Sequence, residues 1–237
     1  MSKNKTSYLK TFFPLIFVIS IVALIAAIML LGEFIEYIKD KPLEFEPIDD
    51  YVVDSENDLT YRPCNKAVVA ISLGDKCFAE AGDASFYSID FMNSDEYIAL
   101  SRSEGGTVYY SDKVKDVSFE TFSPIAARIY ATSVFSGAPL DYFVAAQEYL
   151  ESNSGNVTDD TEYTNAVYDC VINGDSVAIP SSLDDSATLY LLMLSAEYPG
   201  LAYQITFMKD KNGIAYLYDP ATQKCVLCSD ALTVRLS

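Results

Sequence analysis

The chain contains no histidine and no tryptophan. Without an imidazole, a Ser-His-Asp triad, a Cys-His pair and an HExxH zinc site are all excluded within it. General acid–base work near neutral pH would fall to a tuned carboxylate or a lysine. Serine–lysine chemistry needs the two side chains on one helix face. The Ser-x-x-Lys spacing occurs only at Ser2 to Lys5 and Ser7 to Lys10, and the looser Ser72/Lys76 and Ser111/Lys115 pairs carry no further signature. No glycine-rich loop is built to cradle phosphate, because Gly105-Gly106 is short and precedes a strand signal. Internal repeats and low-complexity tracts are also missing.

Acidic residues are absent from the first 32 positions, whereas Lys3, Lys5 and Lys10 all lie there. All 34 Asp and Glu residues follow from Glu33 onward, and the net charge is −18. Nucleic-acid binding is excluded on this balance, since it needs Lys and Arg to displace counterions. A protein or cationic ligand is the partner such a surface favours, with solubility an adequate alternative reason for the charge.

Residues 11–32 (TFFPLIFVISIVALIAAIMLLG) lack any charge. A helix of that length reaches about 33 Å, enough for a hydrocarbon core of about 30 Å. The run is longer than a secretion signal requires and ends without a small-x-small cleavage site. No cysteine near its end suggests a lipoprotein. The sequence therefore predicts a membrane-spanning helix over 11–32, in contact with lipid. With the lysine-bearing head 1–10 in the cytosol, the remainder is placed outside the cell membrane.

Residues 33–60 read as an acidic stalk, with Pro42 and Pro47 stopping any helix. An exterior domain is expected over 61–237. Strand alternation marks 67–73, 85–92, 96–101 and 107–111, an antiparallel meander. The middle changes period: Ser123 and Pro124 look like a helix start, and Pro139 like a second, giving a helical hairpin through Leu150. A short helix is expected around Tyr163 to Cys170, and a short strand at Ser176 to Ile179. Ser182 and Asp185 resemble a capping box before the apolar run 187–196, which reads as helix. Residues 201–208 and 214–219 form the clearest hairpin, followed by a strand at 224–227. The fold class predicted is α+β: an N-terminal transmembrane helix, then antiparallel sheet with an inserted helical hairpin.

Five cysteines, Cys64, Cys77, Cys170, Cys225 and Cys228, lie beyond the apolar run. Cys225 and Cys228 have CxxC spacing and form the candidate thiol or disulfide pair. Their expected strand setting lacks the helix N-terminus that activates a redox thiol, so buried small hydrophobes are the plainer reading. Asp54-x-Glu56-x-Asp58 and Asp210-x-Asn212-Gly213 each hold part of a calcium loop but lack its closing bidentate Glu. No cofactor, metal or catalytic residue is assigned. Asn156-Val157-Thr158 is a glycosylation sequon, meaningful only in a eukaryotic secretory route.

Three blocks, GDKCFAE at 74–80, YPGLAY at 198–203 and YLYD at 216–219, together with the lysine-headed apolar run, resemble uncharacterised single-span membrane proteins of Gram-positive bacteria. The resemblance implies a bacterial cell-membrane setting and no activity. The function expected is a membrane-anchored outward-facing binding or scaffold domain. Two alternatives are an exterior enzyme using carboxylates or a Ser-Lys pair, and an accessory subunit of a membrane complex.

Overall fold

The computed structural model describes Leu24, Ile28, Met29 and residues 41–100, 106–133, 141–144 and 161–236. The chain divides into two units, Met1–Pro42 and Leu43–Ser237. In the first, Leu24, Ile28 and Met29 are helical and well exposed. Among the described residues no helix is long and apolar enough to cross a membrane. The expected transmembrane helix is thus no element of the fold described here, and the rest of 11–32 lies outside the described residues.

The second unit is mostly one large mixed sheet with short helices, which corrects the α+β class expected for it. Its strands are β1 (Leu43–Glu44), β2 (Glu46–Ile48), β3 (Tyr51–Asp54), β4 (Leu59–Pro63) and β5 (Val68–Ala70). There follow β6 (Leu73–Ala81), β7 (Ala84–Ile89), β8 (Tyr97–Leu100), β9 (Gly106–Ser111), β10 (Pro124–Tyr130) and β11 (Asp141–Val144). The last are β12 (Leu183–Ser195), β13 (Leu201–Asp210), β14 (Ala215–Asp219) and β15 (Lys224–Leu227). Three short helices accompany them among the described residues: α1 (Phe119–Phe122), α2 (Thr161–Asn173) and α3 (Asp230–Arg235).

The main path runs β1-β6-β7-β8-β9-β5-β13-β12-β10-β11. Only β1 with β6 is parallel among the described pairs. The sheet forks twice. β9 meets β5 through Gly106 and Thr107 and β4 through Tyr109 to Ser111, so the two partners share one edge end to end. β13 divides an edge in the same way between β5 and β14. Each fork lets a second ribbon, β4-β3-β2 or β14-β15, leave the main path.

Side-chain alternation then fills both faces. Val68, Val108, Leu191, Met193, Tyr203 and Ile205 join Phe119 and Phe122 of α1, Val167 and Val171 of α2, and Leu232 of α3 in the largest core. Phe45, Val52, Leu59, Tyr61, Phe86 and Ile98 form a second core. Val69, Ala126, Tyr130, Leu192, Leu194 and Ala202 make a third, drawn from β5, β10, β12 and β13.

Three further expectations are corrected. Where the expected helical hairpin is described it is strand: β10 pairs antiparallel with β11, Ala126 opposite Val144 and Ile129 opposite Asp141, while 134–140 and 145–150 lie outside the described residues. Ser123 does not start a helix but ends α1, in the left-handed region at φ 48°. Pro124 therefore opens a new element, and its strand is held by partners on both edges, which outweigh local helical spacing. The apolar run 187–196 lies, but for its last residue, in β12 and not in a helix. Leu191 and Met193 face one core while Leu192 and Leu194 face another, so burial on both sides hides the two-residue period. The stalk, finally, contributes β1 to β3 to the sheet. Phe45 and Val52 are buried, and Asp54 is only 1% exposed because its carboxylate accepts from the Glu56 and Asn57 backbone N–H groups at 3.1 Å each. That acid is a turn holder rather than a solvated spacer.

Candidate functional site

α1 is the hub of the site. It is short, and Ser118 caps it by accepting from the Thr121 N–H while the Thr121 hydroxyl accepts from the Ser118 N–H. Its two aromatic residues lie under the surface. Phe122 stacks on Tyr198 with ring centroids 5.5 Å apart, and Phe119 packs 4.9 Å from Tyr203. Tyr97 and Tyr198 meet edge-on with ring centroids 6.1 Å apart.

Two cavities, each of about 560 Å³, adjoin this helix and share Asp116 and Ser118 in their linings. The first is enclosed by Asn65, Phe119, Glu120, Tyr203, Asp219 and Lys224 among others, including Val171 and Ile172 of α2. The second is lined by Met92, Glu96, Tyr97, Glu197 and Tyr198, with Val114, Lys115 and Thr121. Each holds three carboxylates and one ammonium group, so both favour positive charge.

Asp116, at the junction, holds the Asn65 turn. It accepts from the Asn65 backbone N–H at 3.1 Å and the side-chain amide at 3.3 Å. Burial of the Cys64 thiol, together with that nearby carboxylate, drives the thiol far above its ordinary pKa. Such a thiol stays protonated at neutral pH. Asp219 is buried and accepts three bonds: from the Tyr203 hydroxyl at 3.0 Å, the Ala221 N–H at 2.9 Å and the Thr222 hydroxyl at 2.7 Å. Lys224 donates to the Val171 and Ile172 carbonyls at 2.8 and 3.0 Å, closing the C-terminal end of α2.

Phe91, which precedes Met92 of the second cavity's lining, is 84% exposed and lies in the left-handed region at φ 64°. That conformation is costly for a large side chain without burial in return. Its neighbours hold it there. Asp90 accepts from the Ser72 hydroxyl at 2.6 Å and donates its N–H to the Ser72 carbonyl at 3.0 Å. Gly200 approaches the Asp90 carbonyl so closely that no Cβ fits between them.

All five cysteines are free thiols. Cys225 is buried and Cys228 half-buried, and both are pushed up by burial, Cys228 to about 12. Cys228 packs on the same core as Cys170 and interacts electrostatically with it. The Ser72 hydroxyl is engaged by Asp90, and that of buried Ser111 donates to the Asp95 carbonyl at 2.6 Å, each pinning a turn. In the partial calcium patterns, Asp54 and Asp210 each fasten a hairpin turn by backbone N–H bonds. Among the described residues, no group of three Cys, Asp or Glu side chains could hold a metal ion. The sequon Asn156 to Thr158 lies outside the described residues.

The sequence did not single out Asp116, Glu96, Glu197 or Phe91. Tyr198, Tyr203 and Asp219 stood inside the YPGLAY and YLYD blocks, and the Tyr203–Asp219 bond joins those blocks in space. No protein-family model, curated protein or solved structure matches the chain.

Proposed function

We propose that the sheet unit is a non-enzymatic binding or scaffold module that takes a positively charged segment of a protein partner at the second cavity. The observation that carries this reading is Phe91, an exposed aromatic in a strained conformation, next in the chain to Met92 of a cavity lined also by Glu96, Glu197 and Tyr198. Exposed aromatics next to a pocket are the residue type that anchors protein interfaces. The carboxylates would meet Lys or Arg side chains, and the Tyr198 ring offers a cation a π face. Asp116 and Asp219 are engaged in holding loops, and the Cys64 thiol is held protonated, which supports binding over catalysis.

The proposed location is the outer face of the cell membrane, with apolar residues of 11–32 in contact with lipid. The exposure of Leu24, Ile28 and Met29 and the lysines of the head support it. Flotation of the full chain with liposomes, against a chain lacking the first 40 residues, tests the lipid contact.

Fluorescence anisotropy of a labelled lysine-rich peptide tests the binding site. Affinity should fall at least about tenfold for Phe91→Ala and for the Glu96→Gln, Glu197→Gln pair, and fall further with salt. Equal binding by all variants, or a preference for a neutral peptide of the same length, would remove the reading.

A further inference from the structure

The C-terminal end of α2 is fastened to β15 by several independent contacts. Lys224 donates to the carbonyls of Val171 and Ile172. Beyond the helix, Ser176 bridges Val226 in antiparallel register, and the Val177 N–H donates to the Cys225 carbonyl at 2.8 Å. Between them, Gly174 lies so near β15 that a Cβ there would be 3.2 Å from the Val226 Cβ. Cys170 sits one helical turn before Gly174, whose N–H bonds to the Cys170 carbonyl at 3.0 Å. Cys228 follows Val226 by two residues, the spacing that returns a strand side chain to the same face. Val226 contributes to the core under α2, and both Cys170 and Cys228 pack against that core.

We propose that Cys170 and Cys228 are a cross-linking pair, and that a small disulfide oxidises them to an intramolecular disulfide joining α2 to the strand β15 that precedes Cys228. One thiolate attacks the small disulfide, expelling one thiol and leaving a mixed disulfide. The second cysteine then attacks the protein sulfur of that mixed bond and expels the other thiol. Both protein thiols lose their protons, and the two electrons go to the reagent. The remaining cysteines are set apart from this chemistry. Cys64 and Cys225 are buried, and the Cys77 thiol is turned to the Ala79 and Phe86 carbonyls at 3.2 and 3.6 Å. Val171, Ile172 and Lys224 line the first cavity, so the cross-link fixes one of its walls. This pair replaces the Cys225–Cys228 pairing suggested by spacing alone. Cys225 occupies the strand position opposite to that of Val226, away from the shared core.

The test uses the full chain, reduced, then incubated with oxidised glutathione, alkylated under native conditions, digested without reduction and mapped by mass spectrometry. The expected product is a Cys170–Cys228 linked peptide lighter by two hydrogens. It should persist in Cys225→Ser and be lost in Cys170→Ser and Cys228→Ser, which should retain glutathione on the remaining member. The oxidised wild type should melt above its reduced form. A folded wild type that accumulates glutathione on both cysteines, or that links Cys225 to Cys228, overturns the proposal. Circular dichroism of each variant separates loss of the link from loss of the fold. Should Cys228→Ser fail to fold, Cys170→Ser and Cys225→Ser still decide between the two pairings.

Discussion

Asp219 shows what a buried acid does in this fold. It closes the turn between β14 and β15 and receives the Tyr203 hydroxyl from β13, so one carboxylate ties three strands. Replacing Tyr203 by Phe removes a bond to a charged acceptor while keeping the ring in its core. The expected loss is about 1.5–2 kcal/mol, read as a lower urea midpoint with an unchanged slope. Asp210 acts similarly in the β13–β14 turn, where the Ile214 and Asn212 N–H groups hold its pKa below the ordinary carboxylate value. Because the folded value is depressed, its contribution is full above the ordinary aspartate range and is lost as pH falls through the lowered one. Amide exchange at Ile214 should therefore quicken on acidification, and Asp210→Asn should flatten that dependence. Residue chemistry was legible from sequence where it excluded something, as with histidine. Acids that hold turns were not, because a solvated Asp and an Asx-turn Asp share the same local pattern.

At the level of elements, strands beside turn-forming residues were legible: β7 and β8 flank Asn93-Ser94-Asp95, β13 and β14 flank Lys211-Asn212-Gly213, and the sequence placed each within a few residues. β10 and β12 were not, for a definite reason: they lie inside the sheet with cores on both faces, so alternation vanishes and apolar spacing mimics a helix. α2 was seen because it packs with one face only, Val167 and Val171 inward. Its C-terminal end depends on Lys224, a contact no local pattern announces. Lys224→Met leaves two helix-end carbonyls without their donor and removes a favourable charge at the dipole's negative end. A loss of about 1–2 kcal/mol is expected, with faster amide exchange confined to the last turn of α2 and the 174–177 segment. Uniform destabilisation without that local signature would mean that the lysine acts elsewhere.

The whole molecule follows from the forks in its sheet. Two strands, β9 and β13, each divide an edge between two partners, and sequence gives no sign of which distant strands will meet there. Tyrosines of the β4 ribbon and of the main path lie in apolar surroundings. Tyr61 lies in the second core, Tyr97 and Tyr203 in the largest. Burial, and then nearby carboxylates, Tyr198 or Cys64, raises all three hydroxyls well above the ordinary tyrosine value of 10.0. The sign of the consequence is fixed. The unfolded chain releases these protons near pH 10 while the folded chain keeps them, so stability is full below pH 10 and falls as pH rises beyond it. Each retained proton contributes a slope of about 1.4 kcal/mol per pH unit. Three such groups, at 0–3% exposure, make alkaline unfolding cooperative. Phenolate absorbance should rise in two stages, exposed tyrosines first without structural change, and buried ones together with the loss of circular dichroism. Tyr203→Phe should make the alkaline limb shallower even though it lowers stability at neutral pH. A single smooth titration near pH 10 with the sheet signal intact would show that the three rings are open to solvent, and their assignment to the two cores would fall with it.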